Sequence, residues 1–123
     1  MSSGFAEEID MPTNLYRSTF EQLPLGVCHL DCEGRYLKAN PACCRLLGYS
    51  EEELLNMRWQ DIHPQRETER IQKALSEICA GESERIVLEL EFLRKEGTSF
   101  WGEAGISLAR GDDGQPLFYV MLI

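Results

Sequence analysis

Residues 40–64 read NPACCRLLGYSEEELLNMRWQDIHP and contain two helix starts in quick succession. Asn40 can cap free backbone amides, and Pro41 at the first helical position loses no hydrogen bond. Ser50 and Glu53, three residues apart, form a capping box for a second helix. The segment therefore predicts two short helices joined by a tight turn.

The residues before this segment predict a helix followed by a hairpin. Tyr16, Phe20 and Leu23 lie at helical spacing and share one face. Residues 26–31 and 35–39 are typical of short strands, and the glycine turn between them predicts that they pair with each other.

The residues after it change from helical to strand periodicity. The longest helix is predicted over about residues 65–80, and strands over 84–94 and 99–109. The final run, LFYVMLI, is apolar on both alternating faces, which is typical of a central strand covered on both sides. The predicted helix buries one stripe, formed by Ile71, Ala74, Leu75, Ile78 and Cys79.

Length and composition favour one globular domain of the α+β class. The chain has 123 residues, of which 43% are hydrophobic and 27% charged. The net charge of −9 disfavours nucleic-acid binding. No basic, apolar start of a secretory signal and no apolar run of membrane-spanning length is seen. We expect a flexible leader over residues 1–11, one domain over 12–123, a cytoplasmic location and no membrane contact by this domain.

The five cysteines, at 28, 32, 43, 44 and 79, are odd in number and lack the CxxC spacing of a zinc site. In a cytoplasmic protein they are expected to be reduced. Cys28, Cys43 and Cys79 occupy apolar positions of the periodic segments and are predicted to lie in the core. A redox role for the adjacent pair Cys43 and Cys44 stays open.

A series of turn and cap motifs runs along the chain in a fixed order: Asp31-x-x-Gly34, Asn40-Pro41-Ala42, Gly48-Tyr49-Ser50-x-Glu52-Glu53-Leu54, Asp61-Ile62-His63-Pro64, Arg94-Lys95-Glu96-Gly97-Thr98-x-x-Trp101 and Asp113-Gly114-x-Pro116. In order and spacing these motifs resemble those of a PAS domain from about residue 13 to the end of the chain. This resemblance implies a five-stranded antiparallel sheet in strand order 2-1-5-4-3, with helices on one face and LFYVMLI at the centre. We place the N-terminal helix on the other face.

The resemblance also implies a role. PAS domains are usually input modules of histidine kinases, diguanylate cyclases or chemoreceptors, so we expect a linked output domain of the kinase or cyclase type. Some members hold a small ligand between helices and sheet, and others act only as dimerising relays. We expect a homodimer formed by the N-terminal helix, through Tyr16, Phe20 and Leu23, and the outer face of the sheet.

No cofactor, metal or catalytic residue is expected. The segment that carries the photoadduct cysteine in light-sensing relatives, residues 56–60, has no cysteine, and residues 81–84 lack the Pro-Trp pair of redox flavin members. Residues 65–80 lack the histidine of haem members. His63 is interpreted as a fold residue, and the carboxylates at 67–69 and 89–91 as solvent-facing. The sequence therefore predicts that the chain is not an enzyme.

The predicted ligand pocket is apolar and suits a small hydrophobic molecule. Two alternatives stay open: the same side chains fill the core without a cavity, or the domain is a ligand-free module for dimerisation and signal relay. The predicted lining is Cys28, Leu30, Leu37, Cys43, Leu47, Ile62, Leu75, Leu88 and Phe92.

Overall fold

The computed structural model describes residues 15–123. The leader predicted over residues 1–11 lies outside them. A first helix, α1, covers residues 15–22. The other elements, in chain order, are β1 (Val27–Leu30), β2 (Tyr36–Ala39), α2 (Pro41–Leu47), α3 (Glu51–Leu54), two 3-10 turns (Trp59–Ile62 and Gln65–Glu67), α4 (Thr68–Cys79), β3 (Arg85–Leu93), β4 (Ser99–Arg110) and β5 (Pro116–Leu122).

The five strands form one antiparallel sheet in the order β2-β1-β5-β4-β3, which confirms the predicted α+β fold and topology. One face, here called the inner face, carries Cys28, Ile106 and Met121 and packs against α4 through Ile71 and Ile78. The opposite face is called the outer face. Alternation along each strand therefore separates the core from a second surface.

The two predicted helix starts are confirmed. The Asn40 side chain accepts a hydrogen bond from the Cys43 amide, and Ser50 and Glu53 make both bonds of a capping box. Gly48 ends α2 with φ +80°, a backbone conformation that favours glycine. These local signals fix the chain direction between the hairpin and α4.

The buried stripe of α4 is narrower than the sequence predicts. Ile71, Ala74 and Ile78 are buried, as expected. Leu75 is only half-buried and Cys79 is exposed, so the prediction that both are core residues is wrong. Leu75 and Cys79 lie beside the buried face of α4, and both line a surface groove together with residues of the turn between β1 and β2.

A bulge in the outermost hairpin changes the face of one predicted pocket residue. His29 pairs with Lys38, but the next residue, Leu30, pairs with Tyr36, so Leu37 is skipped. Leu37 is consequently 49% exposed, and its predicted place in the pocket is wrong. Tyr36 takes the inward position instead and is 2% exposed.

Helix α1 packs on the outer face of its own sheet. Phe20 is 6% exposed and lies 5.5 Å, ring to ring, from His29, which stacks on Phe118 of β5 at 4.6 Å. The three predicted dimer residues therefore separate: Phe20 is used within the subunit, Leu23 is half-buried just past the helix, and Tyr16 is exposed.

Candidate functional site

Most residues of the predicted pocket lie in the core between the helices and the sheet. Leu75 and Leu88 pack against this core from its margin, whereas Leu37 does not reach it. Six members of the predicted lining are fully buried: Cys28, Leu30, Cys43, Leu47, Ile62 and Phe92. The structure brings these six together in one buried cluster.

Two thiols and a phenol form a polar group inside this cluster. Cys28 on β1 and Cys43 on α2 are both fully buried, and a hydrogen bond with Cys43, together with burial, raises the pKa of Cys28. Burial and the two neighbouring thiols raise the pKa of Tyr36. Among the described residues, the Tyr36 hydroxyl has no hydrogen-bond partner.

Asn40 holds β1 and α2 at the spacing that brings the two thiols together. Its Oδ1 accepts from the amides of Val27 and Cys43, each at 2.9 Å. Its Nδ2 donates to the Leu25 carbonyl, also at 2.9 Å. A single buried side chain thus caps a helix and positions the start of a strand.

His63 is a second buried polar group in the core. Nδ1 lies 2.9 Å from the Glu91 carbonyl oxygen, so this nitrogen carries the proton and donates it. Nε2 has no partner within residues 15–123, and the ring lies 4.6 Å from that of Phe92. Burial lowers the pKa of His63 from 6.5 to about 4, so the ring is neutral at pH 7.

Glu67 and His63 together close part of the sheet edge. Strand β3 is an edge strand of the sheet. Its Glu91 amide donates a hydrogen bond to Glu67 Oε2 at 2.8 Å, and the Glu91 carbonyl accepts one from His63. Glu67 also accepts from Arg70 at 2.9 Å, and Arg66 pairs with the Glu91 side chain. Glu67 is 3% exposed, so its predicted solvent-facing position is wrong. The Glu67 carboxylate can be buried because two donors, the Glu91 amide and the Arg70 guanidinium, satisfy its oxygens.

The part of the outer face formed by β3, β4 and the end of β5 carries apolar side chains that α1 leaves exposed. Trp101 is 57% exposed, Val87 48% and Leu122 38%. In register, Val87 faces Gly105, which faces Leu122, so a residue without a side chain separates two apolar ones. These three apolar residues are called the outer patch below.

The sequence did not reveal several of these positions. Tyr36 lies in a strand too short for alternation to be read, and Trp59 is 2% exposed within a 3-10 turn that has no periodic signal. The glycine at position 34 is a consequence of the buried Trp59, because a Cβ at Gly34 would lie 2.7 Å from the indole nitrogen. A glycine with φ +93° in contact with an aromatic ring marks close packing.

Two kinds of feature are absent from the described part of the chain. No group of three or more histidine, cysteine, aspartate or glutamate side chains within residues 15–123 is arranged to hold a metal ion. Over the same residues, no helix is long and apolar enough to cross a membrane.

Comparison with known proteins identifies the family. A family model for the PAS domain matches residues 24–123. The chain belongs to the PAS domain family. The probable diguanylate cyclase DgcE of Escherichia coli (strain K12) is 28% identical over 108 residues, which are 88% of this chain and 10% of that protein. The sensor histidine kinase TmoS of Ectopseudomonas mendocina is 26% identical over 108 residues, 88% of this chain and 11% of that protein.

Solved structures share the PAS fold. A domain of a sensory box sensor histidine kinase/response regulator from Geobacter sulfurreducens has a TM-score of 0.77 and 25% identity, covering 93% of this chain and 94% of that one. The PAS domain of a protein from Colwellia psychrerythraea has a TM-score of 0.82 at 19% identity, covering 89% and 92%. The chain spans about a tenth of the two curated relatives, which are named for a cyclase and a kinase.

Proposed function

We propose that this PAS domain is the cytoplasmic, non-enzymatic input module of a longer signalling protein and that it acts through a homodimer formed on its outer face. The curated relatives support a linked output domain of the cyclase or kinase type, because the matched segment is a small part of each. The observation that carries the dimer is the outer patch, which is exposed in the single subunit.

A second copy of the chain is the occupant that best fits this surface. The subunit exposes two apolar features on the same side of its sheet: the outer patch, and Leu15 and Tyr16 on α1, 58% and 59% exposed. Twofold symmetry lets α1 of each subunit cover the outer patch of the other, so that both apolar features are buried on both subunits. Exposed apolar surface of this kind is characteristic of an interaction site.

Charge sets a condition on this dimer. Each subunit carries a net charge of −9, and Glu89 and Glu103 face each other across β3 and β4 within the outer face. Two copies therefore repel at low ionic strength, and added salt screens this repulsion. We expect the dimer to strengthen between low and physiological salt.

Light scattering tests the dimer. Wild type is expected to have twice the subunit mass at tens of micromolar in about 0.15 M salt, and Trp101→Glu the mass of one subunit. Leu55→Glu is the matched control, because Leu55 is 43% exposed but follows α3 in the helical layer. A monomeric wild type, or a dimer that survives Trp101→Glu, contradicts the proposal.

A second candidate function is binding of a small ligand in the core. Among the described residues, three buried side-chain polar atoms have no partner: His29 Nε2, which lies under α1 on the outer face, and Tyr36 Oη and His63 Nε2 in the core. The two core atoms are the observation that favours this candidate. Buried polar groups in proteins are nearly always hydrogen-bonded, so each of these atoms could receive a ligand group. Tyr36 can donate a proton, and His63 Nε2 can accept one.

Native mass spectrometry of freshly purified protein tests this second candidate. A bound ligand adds a fixed mass that is lost on denaturation, and Tyr36→Phe is expected to lower its occupancy while the domain stays folded. Protein that shows only its own mass, both as purified and after incubation with cell extract, contradicts ligand binding and leaves the dimer untouched.

A further inference from the structure

Two cysteines that are far apart in the sequence line one surface groove. Cys32 lies in the turn between β1 and β2, and Cys79 is the last residue of α4. Both are exposed and free. The groove has a volume of about 220 Å³ and is also lined by Trp59, Leu75 and Tyr119. The fold thus gives solvent access to a pair of thiols on two separate elements.

The Tyr119 hydroxyl lies in the same groove. It donates a hydrogen bond to the Leu75 carbonyl at 3.1 Å. Burial and the nearby Cys79 and Cys32 raise the pKa of Tyr119 to about 12, so the hydroxyl is neutral at pH 7. The groove that holds the two cysteines therefore also holds a fixed, neutral hydroxyl group.

Arg110 fixes the position of Cys79. One of its guanidinium nitrogens donates to the carbonyls of Ile78 and Cys79 at 3.0 and 3.1 Å, and another donates to the Gly114 carbonyl at 3.0 Å. The end of α4 is thereby tied to β4 and to the turn that follows it.

The thiols of Cys28 and Cys43 are not accessible to solvent. Cys28 and Cys43 are fully buried, and the pKa of Cys28 is raised, so this pair is shielded from oxidants in solution. Cys44 is half-buried beside α1 and β2, away from the groove. Solvent exposure and a shared groove therefore distinguish Cys32 and Cys79 from the other three cysteines.

We propose that Cys32 and Cys79 form a redox-active dithiol that closes to a disulfide when a hydroperoxide enters the groove. One thiol, as its thiolate, attacks the peroxide and becomes a sulfenic acid while one water, or alcohol, leaves. The second thiol attacks this sulfur, the S–S bond forms and a second water leaves. Two electrons pass from the sulfurs to the peroxide, and both thiol protons end in the departing products.

The disulfide would join the β1–β2 turn to the end of α4. Both segments line the groove, so the bond would fasten the hairpin to the helical layer. The proposal deepens the sensory role proposed above by naming an oxidant as a stimulus. The dithiol chemistry does not depend on the dimer or on a core ligand, so it can fail or succeed separately from them.

Peptide mapping without reduction tests the dithiol. Wild-type protein is treated with a few equivalents of hydrogen peroxide, alkylated, digested and analysed by mass spectrometry. We expect a cross-linked peptide containing Cys32 and Cys79 and an intact mass lower by about 2 Da, both reversed by dithiothreitol. Cys32→Ser and Cys79→Ser should each abolish the cross-link, while Cys44→Ser should keep it.

Several results overturn the proposal. Separate sulfinic acids on Cys32 and Cys79, or a cross-link that involves another cysteine, would show that the two thiols do not act as a pair. Failure of iodoacetamide to alkylate either thiol in the folded protein would show that the groove is closed to reagents. Unchanged far-UV circular dichroism of the serine variants ensures that a lost cross-link does not reflect unfolding.

Discussion

At the scale of single residues, the buried Asn40 side chain joins β1, the segment before it and α2. Its amide group bonds Leu25, Val27 and Cys43. Asn40→Ala is expected to lower the free energy of unfolding by about 2–4 kcal/mol, because a cap is lost and buried backbone groups lose partners. Urea denaturation measures this loss. Ser50→Ala, which removes an exposed cap only, should cost about 1 kcal/mol. Equal costs would contradict the account of Asn40.

His63 makes the stability of the domain depend on pH. Its pKa in the folded state, about 4, lies below its ordinary value of 6.5. As pH falls from 7, His63 binds a proton in the unfolded chain at a higher pH than in the folded state. Stability is therefore lost between about pH 6.5 and 4. From pH 7 to 4.5 this residue accounts for about 2 kcal/mol of the loss.

Substitution isolates this contribution. His63→Asn keeps a donor near the position of Nδ1 but does not titrate, so its free energy of unfolding should fall less over the same pH range. His29, whose pKa is also lowered by burial, titrates in the same direction and is present in both proteins. Parallel pH profiles for wild type and the variant would show that His63 is not held neutral.

At the scale of elements, helix α4 offers a test of which face is buried. Ile71→Ala should cost about 2–5 kcal/mol through lost burial and the cavity left behind. Leu75→Ala should cost roughly half as much, since this side chain is half-buried. Exposed Lys73→Ala should stay within about 0.5 kcal/mol. A larger loss of unfolding free energy for Leu75→Ala than for Ile71→Ala would show that Leu75 lies on the buried face, as the sequence predicted.

The contrast between elements shows what the sequence could predict. The caps at Asn40 and Ser50, the turns and the strand order follow from local chemistry and from motif order, and these predictions are confirmed. The places of Leu37 and Leu75 do not follow, because a bulge and a small rotation of a helix are set by tertiary packing. The sequence did not predict the burial of Glu67 for the same reason, because one of its two hydrogen-bond donors comes from the distant strand β3 and the other from Arg70.

At the scale of the whole molecule, the two faces of the sheet have different roles in the proposed function. The inner face is filled by the core and supplies stability. The outer face is covered by α1 only near β1 and β5, through Phe20, His29 and Phe118. We infer that its uncovered half transmits the signal between subunits, which is the central claim of the proposed function.

The fluorescence of the two tryptophans tests this claim most directly. Trp59 is buried and Trp101 is 57% exposed in the single subunit, so Trp101 dominates quenching by acrylamide. As protein concentration rises from nanomolar to tens of micromolar, we predict that the accessible fraction falls and the emission shifts to shorter wavelength, because Trp101 becomes buried between subunits. Quenching that stays constant over this range, with Trp101 still accessible, would contradict the dimer through the outer face.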